Sequence, residues 1–181
     1  MLRKLLIVVF FAIGIYSISA QADKTKKGTV IKGFGAVYPV QEPYFNLDKN
    51  KKYKVVFDIA SSPKDSSKLN PLLNAVARLY NMHVDAGIKQ KNIEVALVLH
   101  GSATKNVLKN KQYQERYGTD NPNLKILEEL DKAGVHVYVC GQSASYHKIA
   151  KKNMSKSVKM ALSALTVLID YQTNGFQLIR F

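Results

Sequence analysis

Apolar positions along this chain follow two patterns. Short unbroken runs rich in β-branched and aromatic residues alternate with longer stretches in which apolar residues return every three or four positions. Tyr53 to Ala60 reads Tyr-Lys-Val-Val-Phe-Asp-Ile-Ala and stops at Ser61-Ser62-Pro63, which predicts a strand. Asn70-Pro71 then opens a helix. Asparagine caps it, proline takes the first helical position, and Leu72, Leu73, Val76, Leu79 and Tyr80 recur at helical spacing up to Asp85-Ala86-Gly87. Ile93 to Leu99 is a second strand, and its unbroken apolar run from Val95 suggests a sheet covered on both faces. Residues 103–120 are polar and partly helical. Their thin apolar stripe (Val107, Leu108, Tyr113, Tyr117) is expected to cover the strand ends or to reach a neighbouring subunit.

Asn121-Pro122-Asn123 starts the next helix, which packs Leu124, Ile126, Leu127 and Leu130 inward and ends at Gly134. Val135 to Val139 is a third strand and delivers Cys140. Ser143 to about Asn153 reads as a short helix with basic residues outward. Ser157 is expected to cap a longer helix with a broad apolar face of Val158, Ala161, Leu162, Leu165, Leu168 and Ile169. Gly175 ends it, and Phe176 to Phe181 forms a terminal strand. The order β-α-β-α-α-β-α-α-β predicts an α/β fold with a mostly parallel sheet, right-handed crossovers and helices on both faces. Chemistry in such sheets gathers at the carboxyl ends of the strands. Three ends carry polar or reactive groups: Asp58 to Ser62, His100 to Ser102, and Cys140 to Ser143.

The flanking segments differ from this core. Arg3 and Lys4 precede a nearly unbroken apolar run, Leu5 to Ile18, and Ala20-Gln21-Ala22 has the small-x-small form that signal peptidase cleaves. Residues 1–22 are therefore expected to be a signal peptide cut after Ala22, with Ala20 the next choice and a retained anchor the competing reading. The mature protein is then periplasmic or secreted, with no stable membrane insertion. Residues 23–52 are a polar leader and extended segment expected to lie along the outside of the domain, with Gly33-Phe34-Gly35 as a simple bend. The chain has 181 residues and a formal charge of +14, which loses two units with Arg3 and Lys4. Arginine stands only at positions 3, 78, 116 and 180, and the lysines are scattered. Readers of nucleic acid favour the arginine fork, so a solvated basic surface is expected rather than a nucleic-acid partner.

A single cysteine, Cys140, cannot form an internal disulfide. In an exported chain it is buried and inert, paired between chains, or a free functional thiol. The remaining chemistry is sparse. Neither C-x-x-C nor H-x-x-x-H spacing occurs, so no metal is expected. Gly33 and Gly35 are not followed by a helix, as a dinucleotide fingerprint requires, and no cofactor is expected. No third orienting group or oxyanion hole for a Cys-His hydrolase is visible.

The pieces Val98-Leu99-His100-Gly101, Asn121-Pro122-Asn123-Leu124, Leu130 with Ala133-Gly134-Val135, Val139-Cys140-Gly141-Gln142, and Ala161 to Leu165 leading to Gly175-Phe176 follow one another in a specific order. In these the chain resembles the secreted branch of the DsrE/DsrF-like family, over residues 53–181. The resemblance implies a three-layer, flavodoxin-like (YchN-like) domain that assembles into homo-oligomers, trimers or hexamers. It also implies sulfur carriage, in which a cysteine takes up a persulfide and passes it on; that role falls on Cys140 alone, with sulfur donor and acceptor unnamed.

The residues around Cys140 suit that role. A helix start and a nearby cation lower a thiol's pKa and make the nucleophilic thiolate. The helix after Gly141 offers the first, and His100 is the candidate to stabilise the thiolate. Gly101, Gly141, Gln142 and Ser143 are the candidate ligand-binding residues: the glycine leaves room for backbone N–H groups, and the two polar side chains are donors. His136 is read as structural within its strand, His147 as a surface residue, and His83 has no assigned role. The second functional reading is a non-catalytic oligomeric small-ligand-binding or assembly module in which Cys140 only packs.

Overall fold

The computed structural model describes residues 25, 26 and 28–181; the expected signal peptide lies outside them. Five strands form one parallel sheet: β1 (Tyr53–Ile59), β2 (Ile93–Leu99), β3 (His136–Cys140), β4 (Lys159–Ala161) and β5 (Gln177–Arg180). Their spatial order is β4-β3-β2-β1-β5. The helices are α1 (Pro71–Asp85), α2 (Asn110–Tyr117), α3 (Leu124–Lys132), α4 (Gly141–Tyr146) and α5 (Ala164–Thr173). The architecture is three-layer α/β, as expected.

The order of strands explains the placement of helices. From β1 to β4 the chain steps across the sheet in one direction, and then it returns over the whole width to β5. Right-handed crossovers put helices on one face during the outward steps and on the opposite face during the return. The packing agrees. Val55, Phe57 and Ile59 of β1, with Val95, Leu97, Leu99, Val137 and Val139, face a large core that includes Leu73, Val76 and Tyr80 of α1 and Ile126, Leu127 and Leu130 of α3. On the other face, Val98 and Cys140 meet Ala164 and Val167 of α5. Residues of both alternations are buried, which is why β2 reads as continuously apolar.

Local signals explain the element boundaries. Asn70 accepts a hydrogen bond from the Leu72 N–H at 3.0 Å, and Pro71 occupies the first turn. Gly87 and Gly134 follow their helices at φ +90° and +85°. Asn123 precedes α3 but does not cap it with its side chain. Its amide is instead buried in a polar cluster, donating to Asn106 and Asn121 and accepting from the Asn70 N–H at 2.8 Å.

Four expectations need correction. The longer helix does not start at Ser157. Lys159–Ala161 is an edge strand, and Ser163 caps α5 by accepting from the Thr166 N–H at 3.0 Å. As a result Leu162, Leu165 and Ile169 point into solvent rather than into the core. The helix after Cys140 begins at Gly141 and ends at Tyr146; Lys148, at φ +53°, has left helical geometry. The stripe in residues 103–120 turns inward rather than lying on the surface: Ala103, Val107, Leu108 and Tyr113 are fully buried in the main core, and the Ala103 N–H donates to the Ala60 carbonyl past the end of β1. Finally, the Gly33-Phe34-Gly35 turn is clamped against α1. Asn81 accepts from the Val30 and Ile31 N–H groups and donates to the Phe34 and Gly35 carbonyls, while Asn74 accepts from the Gly35 N–H at 2.8 Å. A Cβ on Gly35 would lie 2.4 Å from the Ala77 backbone, so only glycine allows this approach. Ile31 is thereby carried into the core.

Candidate functional site

The carboxyl ends of β3 and β4 part company. The chain leaves β3 through α4, whose Ala144 joins the large core, and leaves β4 through α5, on the opposite face. Such a divergence opens a crevice, the place where doubly wound sheets hold ligands. Cys140, the last residue of β3, stands at its edge. The cleft there has a volume of about 320 Å³ and is lined by Asp58, His100, Cys140, Gln142, Ser163, Ala164, Leu165, Leu168 and Arg180. Thus the ends of β1, β2, β3 and β5, and the start of α5 after β4, all contribute.

The sulfur is held by hydrogen-bond donors. Cys140 is itself the N-cap of α4, and its Sγ accepts from the Ser143 N–H at 3.5 Å. The side chain is only 5% exposed, and burial pushes the thiol pKa up. Hydrogen bonds from the backbone and hydroxyl of Ser143, and from the Ala164 and Gln142 N–H groups, outweigh burial and leave it below the ordinary thiol value. The donors come from the first turns of two helices, α4 and α5.

The neighbours of Cys140 make this convergence possible. Gly101 sits at φ +52°, and its N–H donates to Ser143 Oγ at 3.2 Å. With that N–H on one lone pair of the oxygen, the hydroxyl keeps its own hydrogen free to donate to the sulfur. The Gly101 amide is thus engaged by Ser143, and Gly101 is not among the residues that line the cleft. Gly141 has a packing task beside the one expected of it. A Cβ there would lie 2.5 Å from the Ala161 carbonyl oxygen and 3.1 Å from that of Leu162. Its missing side chain admits the β4–α5 turn, and so brings the Ala164 N–H to the thiol. Gln142 lines the cleft and donates to the Leu162 carbonyl at 3.4 Å. Ser143 donates its N–H to the sulfur.

His100 lies on the cleft as expected, but not alone. Its Nε2 is 2.6 Å from Asp58 Oδ1. Asp58 is a buried carboxylate in the otherwise apolar run of β1, and its other oxygen lies 3.5 Å from Arg180 Nε. In the sheet register Asp58 stands directly beside Val98 on one side and Arg180 on the other. The pairing satisfies a charge that would otherwise be costly to bury. The other histidines stay away from the thiol. His136 meets the Tyr171 hydroxyl at 2.7 Å, His83 Nδ1 donates to the Leu79 carbonyl, and the His147 carbonyl accepts from Arg116.

Arg180, Ser163 and Ala164 were missed by sequence reasoning. The terminal strand carries Arg180 into the cleft only because β5 pairs with β1, a long-range contact. Ser163 and Ala164 were hidden by placing the helix start six residues early. Asp58 had a visible signal, an acid inside Val-Val-Phe-Asp-Ile, though not its partners.

No protein among curated sequences matches the chain. Solved structures do. The chain is similar to the protein of unknown function MTH1491 from Methanobacterium thermoautotrophicum, at 18% identity and TM-score 0.54, over 72% of this chain and 100% of that one. It is also similar to the YchN protein from E. coli, at 18% identity and TM-score 0.53, over 71% and 99%. Both likenesses speak for the fold. The family model for the DsrE/DsrF-like family matches residues 54–181, the stretch that holds the sheet from the second residue of β1 onward and every cleft residue. This chain belongs to the DsrE/DsrF-like family.

Proposed function

We propose that this protein carries sulfur on Cys140. The observation that supports the reading most directly is the set of donors from two helix starts aimed at a lone thiol beside an open cleft. They favour the thiolate, which is the attacking form. The step balances without an oxidant: the Cys140 thiolate attacks the outer sulfur of a persulfide R–S–SH, the donor's S–S bond breaks, and its electron pair leaves as R–S⁻. Cys140 then holds –S–SH, and the reverse step hands the sulfur to an acceptor thiolate. His100, fixed through Nε2 by Asp58, stands in the same cleft to stabilise the leaving thiolate. The sulfur-relay character suggested by the family agrees with this chemistry.

Incubation with inorganic polysulfide, followed by intact-mass measurement, is expected to add sulfur to the wild type and none to Cys140→Ala. No added sulfur on the wild type would overturn the reading. The envelope location belongs to the same proposal, through the leader expected at 1–22; N-terminal sequencing of protein from the periplasm or medium should begin after Ala22, and recovery only in the cytoplasm would remove it.

A second reading is a non-catalytic oligomeric module for assembly or small-ligand binding. The exposed Leu162 and Ile169, 73% and 66% accessible, support self-association in either case. Light scattering at micromolar concentration tests it, and a monomer would count against it. Among the described residues, no helix is long and apolar enough to cross a membrane.

A further inference from the structure

The cleft is larger than a sulfur atom requires. Its volume, about 320 Å³, is about ten times the ~30 Å³ share of one water molecule in the liquid. A bare hydrosulfide would touch only a small part of this open cleft, whereas an organic thiol of several carbons would lie along its wall. The walls differ in chemistry along its length. Cys140 ends β3 on one side, Leu165 and Leu168 of α5 form an apolar wall, and Arg180 of β5 stands on the far side. β3 and β5 are three strand spacings apart in the sheet, roughly 14 Å between backbones at about 4.8 Å each. The long Arg180 side chain shortens that gap.

Arg180 is suited to meet a ligand. Its side chain is 70% exposed, and the contact with Asp58 is made through Nε. Among the described residues no acceptor holds its two terminal nitrogens, which remain directed by the Nε contact as a fork for a carboxylate. Asp58, which would repel an anion, is recessed: its side chain is only 8% exposed, and its two oxygens are shared between His100 and Arg180.

Resting on the sulfur-carrier reading, we infer that the donor or acceptor at this cleft is a low-molecular-weight thiol bearing a carboxylate. Its carboxylate is held by Arg180, its alkyl chain lies along Leu165 and Leu168, and its sulfur meets Cys140 Sγ. The transfer is the one already balanced above, with R–S⁻ the carboxylate-bearing thiolate left in the cleft. Arg180 touches only the substrate's remote group and acts by binding it.

The test compares two donors that differ only in that group, mercaptopropionate persulfide and the uncharged mercaptopropionamide persulfide. Initial rates of sulfur addition to Cys140 are read by acid quench and intact mass. A charge-assisted hydrogen bond predicts that the wild type reacts at least about tenfold faster with the carboxylate donor. Arg180→Gln should bring the ratio of the two rates close to one, and Arg180→Lys should give an intermediate ratio. Lys91→Gln removes the same unit of charge at the opposite end of β2 and should keep the wild-type ratio. A wild-type ratio of one, or a preference that survives Arg180→Gln, overturns the substrate class while leaving sulfur carriage standing. No sulfur on the wild type from either donor or from polysulfide overturns both.

Discussion

Replacing Ser143 by alanine removes one hydroxyl that makes two bonds of consequence. It accepts the Gly101 N–H at 3.2 Å and donates to Cys140. The second bond favours the thiolate over the thiol. A hydrogen bond to a charged acceptor is worth about 1.5–3 kcal/mol, so its loss cuts the thiolate population roughly tenfold or more at pH values below the titration midpoint. The first bond has a separate cost. With no hydroxyl, the half-buried Gly101 amide loses its partner, which destabilises the fold by about 1–3 kcal/mol unless water replaces it. The assay is the rate of iodoacetamide alkylation as a function of pH, read by mass, beside urea denaturation of the same protein. The alkylation midpoint should move up and the denaturation midpoint down. Ser143→Thr keeps the hydroxyl and should recover most of the acidity. If Ser143→Ala alkylates with the wild-type pH profile, the hydroxyl does not reach the sulfur, and the account of the bond between them fails.

Three other outcomes are expected. The folded thiol titrates below its ordinary value of 9.0, so the folded state favours the ionised form; its stabilising contribution is present above that ordinary value and is lost as pH falls through the lowered folded value. The stability of the wild type relative to Cys140→Ala should therefore rise between those two pH values, and a flat difference across them would contradict the shift. Gly141→Ala places a Cβ against the Ala161 and Leu162 carbonyls and should cost roughly 1–3 kcal/mol by denaturation while also raising the alkylation midpoint, because the Ala164 N–H is pushed away. Asn81→Ala should release residues 28–37 from α1, at roughly 2–4 kcal/mol, and limited proteolysis should then cut within that segment before the sheet unfolds; equal resistance in both proteins would refute the clamp.

The parallel sheet and its sulfur were legible because their signals are local. Unbroken runs at 53–59 and 93–99, the Asn-Pro cap and the glycine stops each state their element within a few residues. The strand-end position of Cys140 follows from the same run. What escaped depends on pairing across the chain. Lys159–Ala161 is too short and too exposed to show alternation, and only its bonds to β3 make it a strand. Taking it as helix moved the start of α5 from Ser163 to Ser157 and concealed the second helix start at the thiol. Arg180 reaches the cleft through the pairing of β5 with β1, and no window around residue 180 reveals that. The packing tasks of Gly101 against Ala60 and of Gly141 against Ala161 escaped for a related reason. The small size of both glycines serves backbone approach by distant segments, which sequence spacing does not show.

The borders of the sheet have a consequence for how copies of this chain can meet. β4 offers three residues and begins with a lysine; β5 offers four and ends with an arginine. Such brief, cationic margins give an incoming backbone little to hydrogen-bond, which guards against open-ended stacking into fibrils. The self-association proposed above would then have to use exposed apolar side chains, such as Ile169 of α5, rather than strand addition.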